Sequence, residues 1–68
     1  MKDVKVGQLV VVNNLPDATL YRVVEKVGKF GVGVVDDEMT SKGYSVATQY
    51  CDISILQKPT QRQLENSR

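Results

Sequence analysis

Five short apolar runs, rich in valine and cut at close intervals by turn-forming residues, constrain this chain more than any other feature. The runs lie at residues 4–12, 20–27, 30–35, 44–46 and 53–56. Asn13-Asn14-Leu15-Pro16-Asp17, Gly28-Lys29 and the stretch 36–43 divide them. Short β-branched runs separated by turn chemistry read as an all-β meander, and about five strands suit a small barrel.

Gly7-Gln8 allows the first run a bend or a bulge. Pro16 has no N–H to give to a ladder and pushes Leu15 away from helical geometry, so residues 13–17 read as a loop. The sharpest local signal is Gly28-Lys29 between two apolar runs, which fits a two-residue type II′ hairpin turn. That register pairs Val27 with Phe30, Glu25 with Val32 and Val23 with Val34. It gathers Val23, Val27, Phe30, Val32 and Val34 on one core face, with Tyr21 in the same register opposite Asp36. Glu25 interrupts the stripe and needs an edge position or a partner.

A fourth strand is expected over residues 44–50, with Tyr44, Val46, Thr48 and Tyr50 inward and Ser45, Ala47 and Gln49 outward. Asp52 is suited to cap a 3₁₀ turn through Ile53-Ser54, ahead of a short closing strand at Ile55-Leu56-Gln57. Pro59 ends the barrel, which gives one domain over residues 1–58 and a tail over 59–68. Within the tail, Thr60-Gln61-Arg62-Gln63 matches a capping box. Only Leu64 is apolar after it, so the tail is expected to be a marginal helix or frayed.

With 68 residues the chain makes one small domain. A core of this size supplies roughly 3–5 kcal/mol, so most apolar residues are needed for folding. One cysteine and no histidine leave no internal disulfide, no zinc ligand set and no usual acid–base catalyst. Cys51 reads as a small, partly buried hydrophobe suited to a reducing compartment. Nine basic and eight acidic residues lack the basic excess that phosphate neutralisation favours, so nucleic acid is the less favoured partner. Asp36-Asp37-Glu38 lacks the spaced ligands of a calcium loop and reads as a solvated acidic turn. Gly28, Gly31 and Gly33 lie within a hairpin and open no helix, so they form no phosphate loop. No run approaches the roughly 20 apolar residues of a membrane span. Met1-Lys2-Asp3-Val4-Lys5 lacks a signal-peptide core, so a cytoplasmic protein is expected, with no membrane partner.

The order of elements over residues 4–58 resembles the SH3-like barrel superfamily, which implies a five-stranded barrel with a 3₁₀ turn before the last strand. Leu20-Tyr21-Arg22-Val23-Val24-Glu25 and residues 52–60 also look like small proteins encoded by tailed phages and prophages, which implies action in a host-cell cytoplasm. Lys5-Val6-Gly7-Gln8-Leu9-Val10-Val11 is similar to the start of KOW-type modules, which implies RNA or DNA binding, although their basic glycine-centred loop has no counterpart here. Gly43-Tyr44-Ser45-Val46 looks like a segment of the plasmid-borne, trimethoprim-resistant dihydrofolate reductases, which act as tetramers. Those enzymes use a Val-Gln-Ile-Tyr motif where this chain has Asp52-Ile53-Ser54-Ile55, so the activity is not carried over.

The reading that follows is a non-catalytic interaction module without cofactor or metal, binding a protein partner or itself. A KOW-like nucleic-acid module and an enzyme formed only on oligomerisation are the alternatives. In the expected register Gly31, Gly33, Val35, Ser45 and Ala47 share the outer face of strands three and four, bordered by Arg22, Lys26 and Gln49. That patch is flat and uncharged at its centre, as interface cores are. The competing explanation is that Gly31 and Gly33 simply let the barrel curl. Tyr21, Tyr44 and Tyr50 read as core-edge aromatics with wet hydroxyls.

Overall fold

The computed structural model describes residues 3–66. Its elements in order are β1 (Leu9–Val10), β2 (Tyr21–Val27), β3 (Gly31–Asp36), α1 (Asp37–Ser41), β4 (Gln49–Asp52), a 3₁₀ turn (Ile53–Ile55) and α2 (Gln61–Asn66). The strands form one antiparallel sheet in the order β1-β2-β3-β4. The sheet curls into a half-barrel over Val4, Val10, Val23, Val32, Val34 and Leu56, with Tyr21, Cys51 and Ile53 packed against them. Fully burying one such side chain contributes roughly 1.5–3 kcal/mol.

Four of the five expected strands form, the fourth over Gln49–Asp52 in place of the expected 44–50. After the 3₁₀ turn the chain makes a single bridge, in which Val11 and Gln57 exchange backbone hydrogen bonds of 3.0 and 2.8 Å. Ile55 is already spent in the turn, so too few extended residues remain for a closing strand. The first strand is likewise short, because the chain turns at Gly7, whose φ of 93° suits glycine. Gly7 still reaches β2, its N–H donating to the Val23 carbonyl at 2.7 Å.

The β2–β3 hairpin corrects the expected register while keeping two of its pairs. Val23 does face Val34, and Tyr21 faces Asp36. Beyond Val23 the register slips by one: Glu25 faces Gly33, Lys26 faces Val32 and Val27 faces Gly31. The loop is therefore three residues, Gly28-Lys29-Phe30, and β2 carries a bulge at Val24. The physical reason lies in Glu25. A flat register would turn its carboxylate into the apolar layer, whereas the extra residue rotates it outward. Val27 and Phe30 leave the core as a result, 49% and 63% exposed. Gly31 is needed at the hairpin base, since a Cβ there would lie 2.6 Å from the Val27 carbonyl oxygen.

The stretch expected to be a solvated acidic turn is a helix, α1. The Asp36 carboxylate caps it by accepting from the Met39 N–H at 3.0 Å, and Asp37 and Glu38 place negative charge in its first turn. It ends in a Schellman motif: the Gly43 N–H donates to Thr40 and the Tyr44 N–H to Met39, with Gly43 at φ 91°. Arg22 ties this helix to the sheet, its Nε donating to Asp37 Oδ1 at 2.7 Å and its Nη1 to the Gly7 carbonyl at 2.7 Å.

Among the described residues the tail forms helix α2 and is anchored to the 13–16 loop. Thr60 and Gln63 form the reciprocal capping box, the Gln63 N–H donating to Thr60 Oγ1 and the Thr60 N–H to Gln63 Oε1. The same amide then donates through Nε2 to the carbonyls of Asn13 at 3.0 Å and Leu15 at 2.8 Å. Asn66 adds a bond from Nδ2 to the Pro16 carbonyl at 2.8 Å. Gln63 is the largest fully buried side chain among the described residues.

Candidate interaction surface

The outer face of β2, β3 and β4 is assembled by alternation, the bulge and one glycine. Along β3, Val32 and Val34 point into the core, so Gly31, Gly33 and Val35 share the opposite face. Across from Gly33 lie Glu25 on β2 and Tyr50 on β4. A Cβ on Gly33 would sit 2.8 Å from Thr48 Cγ2, 2.9 Å from Glu25 Cγ and 3.1 Å from Tyr50 Cε1. These three side chains therefore close over the Gly33 backbone, which is buried. The neighbouring Glu25 carboxylate, through its hydrogen-bonding capacity first and its charge second, holds the Tyr50 phenol above its usual range. Tyr50 remains 66% exposed, with Val24 and Val27 exposed on the same face.

The structure brings together only part of the expected surface. Gly31, Gly33 and Val35 share a face as expected. Ser45 and Ala47 are exposed but precede β4 and lie in no strand. Gln49, opposite Val34, falls in the inward phase, as does Lys26 opposite Val32. The expected inward set of tyrosines is reversed: Tyr44 and Tyr50 are exposed, and Cys51 takes the core-facing position. Burial pushes the Cys51 thiol up, aided by the Asp52 charge. Glu25 and Tyr50 are the surface residues that sequence reasoning missed. The available signal was Glu25 itself, because a carboxylate in an apolar stripe marks a place where the alternation must slip.

Apart from this face, a cleft of about 740 Å³ lies between residues 16–20, α1 and α2. Its acidic lining is largely neutralised locally. Asp37 is held by Arg22, and Glu38 pairs with Lys42 at 3.2 Å. Asp52 serves the fold, accepting from the Ser54 N–H at 2.8 Å, and the bonds from Ser54 hold its carboxyl below the ordinary range. No group of three or more metal-ligating side chains is present among the described residues, and no helix there is long and apolar enough to cross a membrane. No protein-family model, curated protein or solved structure matches the chain.

Proposed function

We propose that this protein is a non-catalytic interaction module that engages a protein partner through the outer face of β2–β4. One observation carries the reading: the exposed Tyr50 ring rests on the Gly33 backbone, beside Glu25 and Thr48. A ring fixed in this way loses little freedom on binding, and tyrosine is enriched among the residues that dominate interface energies. Exposed Val24 and Val27 extend the apolar surface, and Arg22 and Asp52 supply a charged border. The half-barrel and its Val11–Gln57 bridge support an SH3-like reading of the fold. Free Cys51 fits a cytoplasmic setting.

The test is affinity capture from the producing cell with wild type and Val24→Glu side by side. The substitution charges the face at an exposed position without entering the core. A protein retained by wild type and lost with a folded Val24→Glu supports the reading. An unchanged set of captured proteins would move the interaction elsewhere.

A further inference from the structure

A β-sheet open at both sides must deal with two rows of unpaired backbone groups. Here the β1 side is met by Gln57, which bridges Val11. On the β4 side no strand pairs with the outer edge among the described residues. The phase of the β3–β4 ladder shows which groups are turned out. The Ile53 N–H donates to the Phe30 carbonyl at 2.8 Å, and Gly31 faces Asp52 in the next pair. Antiparallel pairs alternate, so Val32–Cys51 and Val34–Gln49 exchange hydrogen bonds. Tyr50 and Asp52, and by extension Thr48, turn their backbone N–H and C=O groups away from β3.

Edges of this kind are commonly blunted by proline, lysine, a bulge or a covering segment. The sequence of β4, Gln-Tyr-Cys-Asp, has no proline or lysine and a single charge at its end. We infer that this edge pairs antiparallel with β4 of a second copy, about a two-fold axis at Tyr50, making one continuous sheet across both molecules. Outward groups must meet outward groups, which restricts the registers. The one centred on Tyr50 uses every residue from Thr48 to Asp52 and stops before the chain leaves in the 3₁₀ turn. In it the two Tyr50 residues face each other, Gln49 faces Cys51 and Thr48 faces Asp52. No like charges meet, whereas an axis at Asp52 would oppose two carboxylates. This pairing uses the edge and not the face, so it stands independently of the proposed partner surface.

The test is sedimentation of the full chain over a wide concentration range, with hydrogen exchange at the Tyr50 amide. Wild type should pass from monomer to dimer, and Tyr50 amide protection should rise in step. Tyr50→Pro removes the N–H that points away from β3, together with the phenol ring, at a position where edge strands tolerate proline. It should stay monomeric and folded. Tyr50→Thr, which keeps the N–H, and Val24→Glu, which alters only the face, should both still dimerise. If Tyr50→Pro fails to fold, the concentration dependence of the wild-type amide decides alone. A chain that stays monomeric with a rapidly exchanging Tyr50 amide overturns the inference. So does protection that appears only when an extended peptide is added to the monomer.

Discussion

The hairpin tip and the C-terminal tail exchange the roles that their compositions suggest. Val27 and Phe30 belong to one of the most apolar stretches of the chain, and both stand in solvent. The tail is polar almost throughout, and it supplies the largest fully buried side chain, Gln63. Burial here follows whether a group can be satisfied. Gln63 finds an acceptor or donor for each end of its amide, through Thr60, Asn13 and Leu15. A buried amide with those bonds made is stable, and the same amide without them is costly. Phe30 sits beyond the bulge at the end of the sheet, where no second layer covers it.

The contrast can be broken most severely at Gln63. Gln63→Leu keeps an apolar body but leaves the Asn13 and Leu15 carbonyls and the Thr60 N–H without their partner. It should cost about 2–3 kcal/mol of unfolding free energy. Denaturant titration measures this, and a loss within error of zero would mean that water replaces the amide at no cost.

Gly31→Ala probes why the hairpin opens as it does. The added methyl meets the Val27 carbonyl oxygen, which is backbone and cannot rotate away. About 1–3 kcal/mol should be lost, with the damage seen as chemical-shift changes centred on residues 27–31. A neutral outcome would show that the three-residue loop absorbs the strain.

The smallest effect is expected at the tip. Phe30→Ser removes a large ring from solvent and leaves the backbone carbonyl that accepts from Ile53 in place. Stability should stay within about 0.5 kcal/mol of wild type. A thermal melt shifted as far as that of Gln63→Leu would put Phe30 back in the core and reverse the comparison.

Local chemistry was largely legible in the sequence, and long-range phase was not. The Thr60–Gln63 box and the Asp52 cap need only neighbours along the chain, and both form as read. The Val23–Val34 pair was likewise readable. The bulge depends on what Glu25 would meet across the sheet, and this decides the face of every later residue in β2. The same holds for β4, where the pairing of Cys51 with Val32 turns Tyr50 outward. Helix α1 had a readable signature in its aspartate cap, acidic first turn and closing Gly43, but its five residues lie in a stretch rich in turn formers. Of the surface, the shared phase of Gly31, Gly33 and Val35 was legible. The contribution of β4 was not, because it follows from that partner register.

The Gln63 amide also bears on when the protein can finish folding. Its two carbonyl partners, Asn13 and Leu15, lie 50 and 48 residues earlier in the chain. On a ribosome the loop holding them emerges long before the helix that satisfies it. The sheet can form its local hairpin during synthesis, since neighbouring strands close short loops. The seam around residues 13–17 must wait until α2 has cleared the exit tunnel. Closure of this seam therefore lags the synthesis of the loop by 48 to 50 residues, timed by a single side chain.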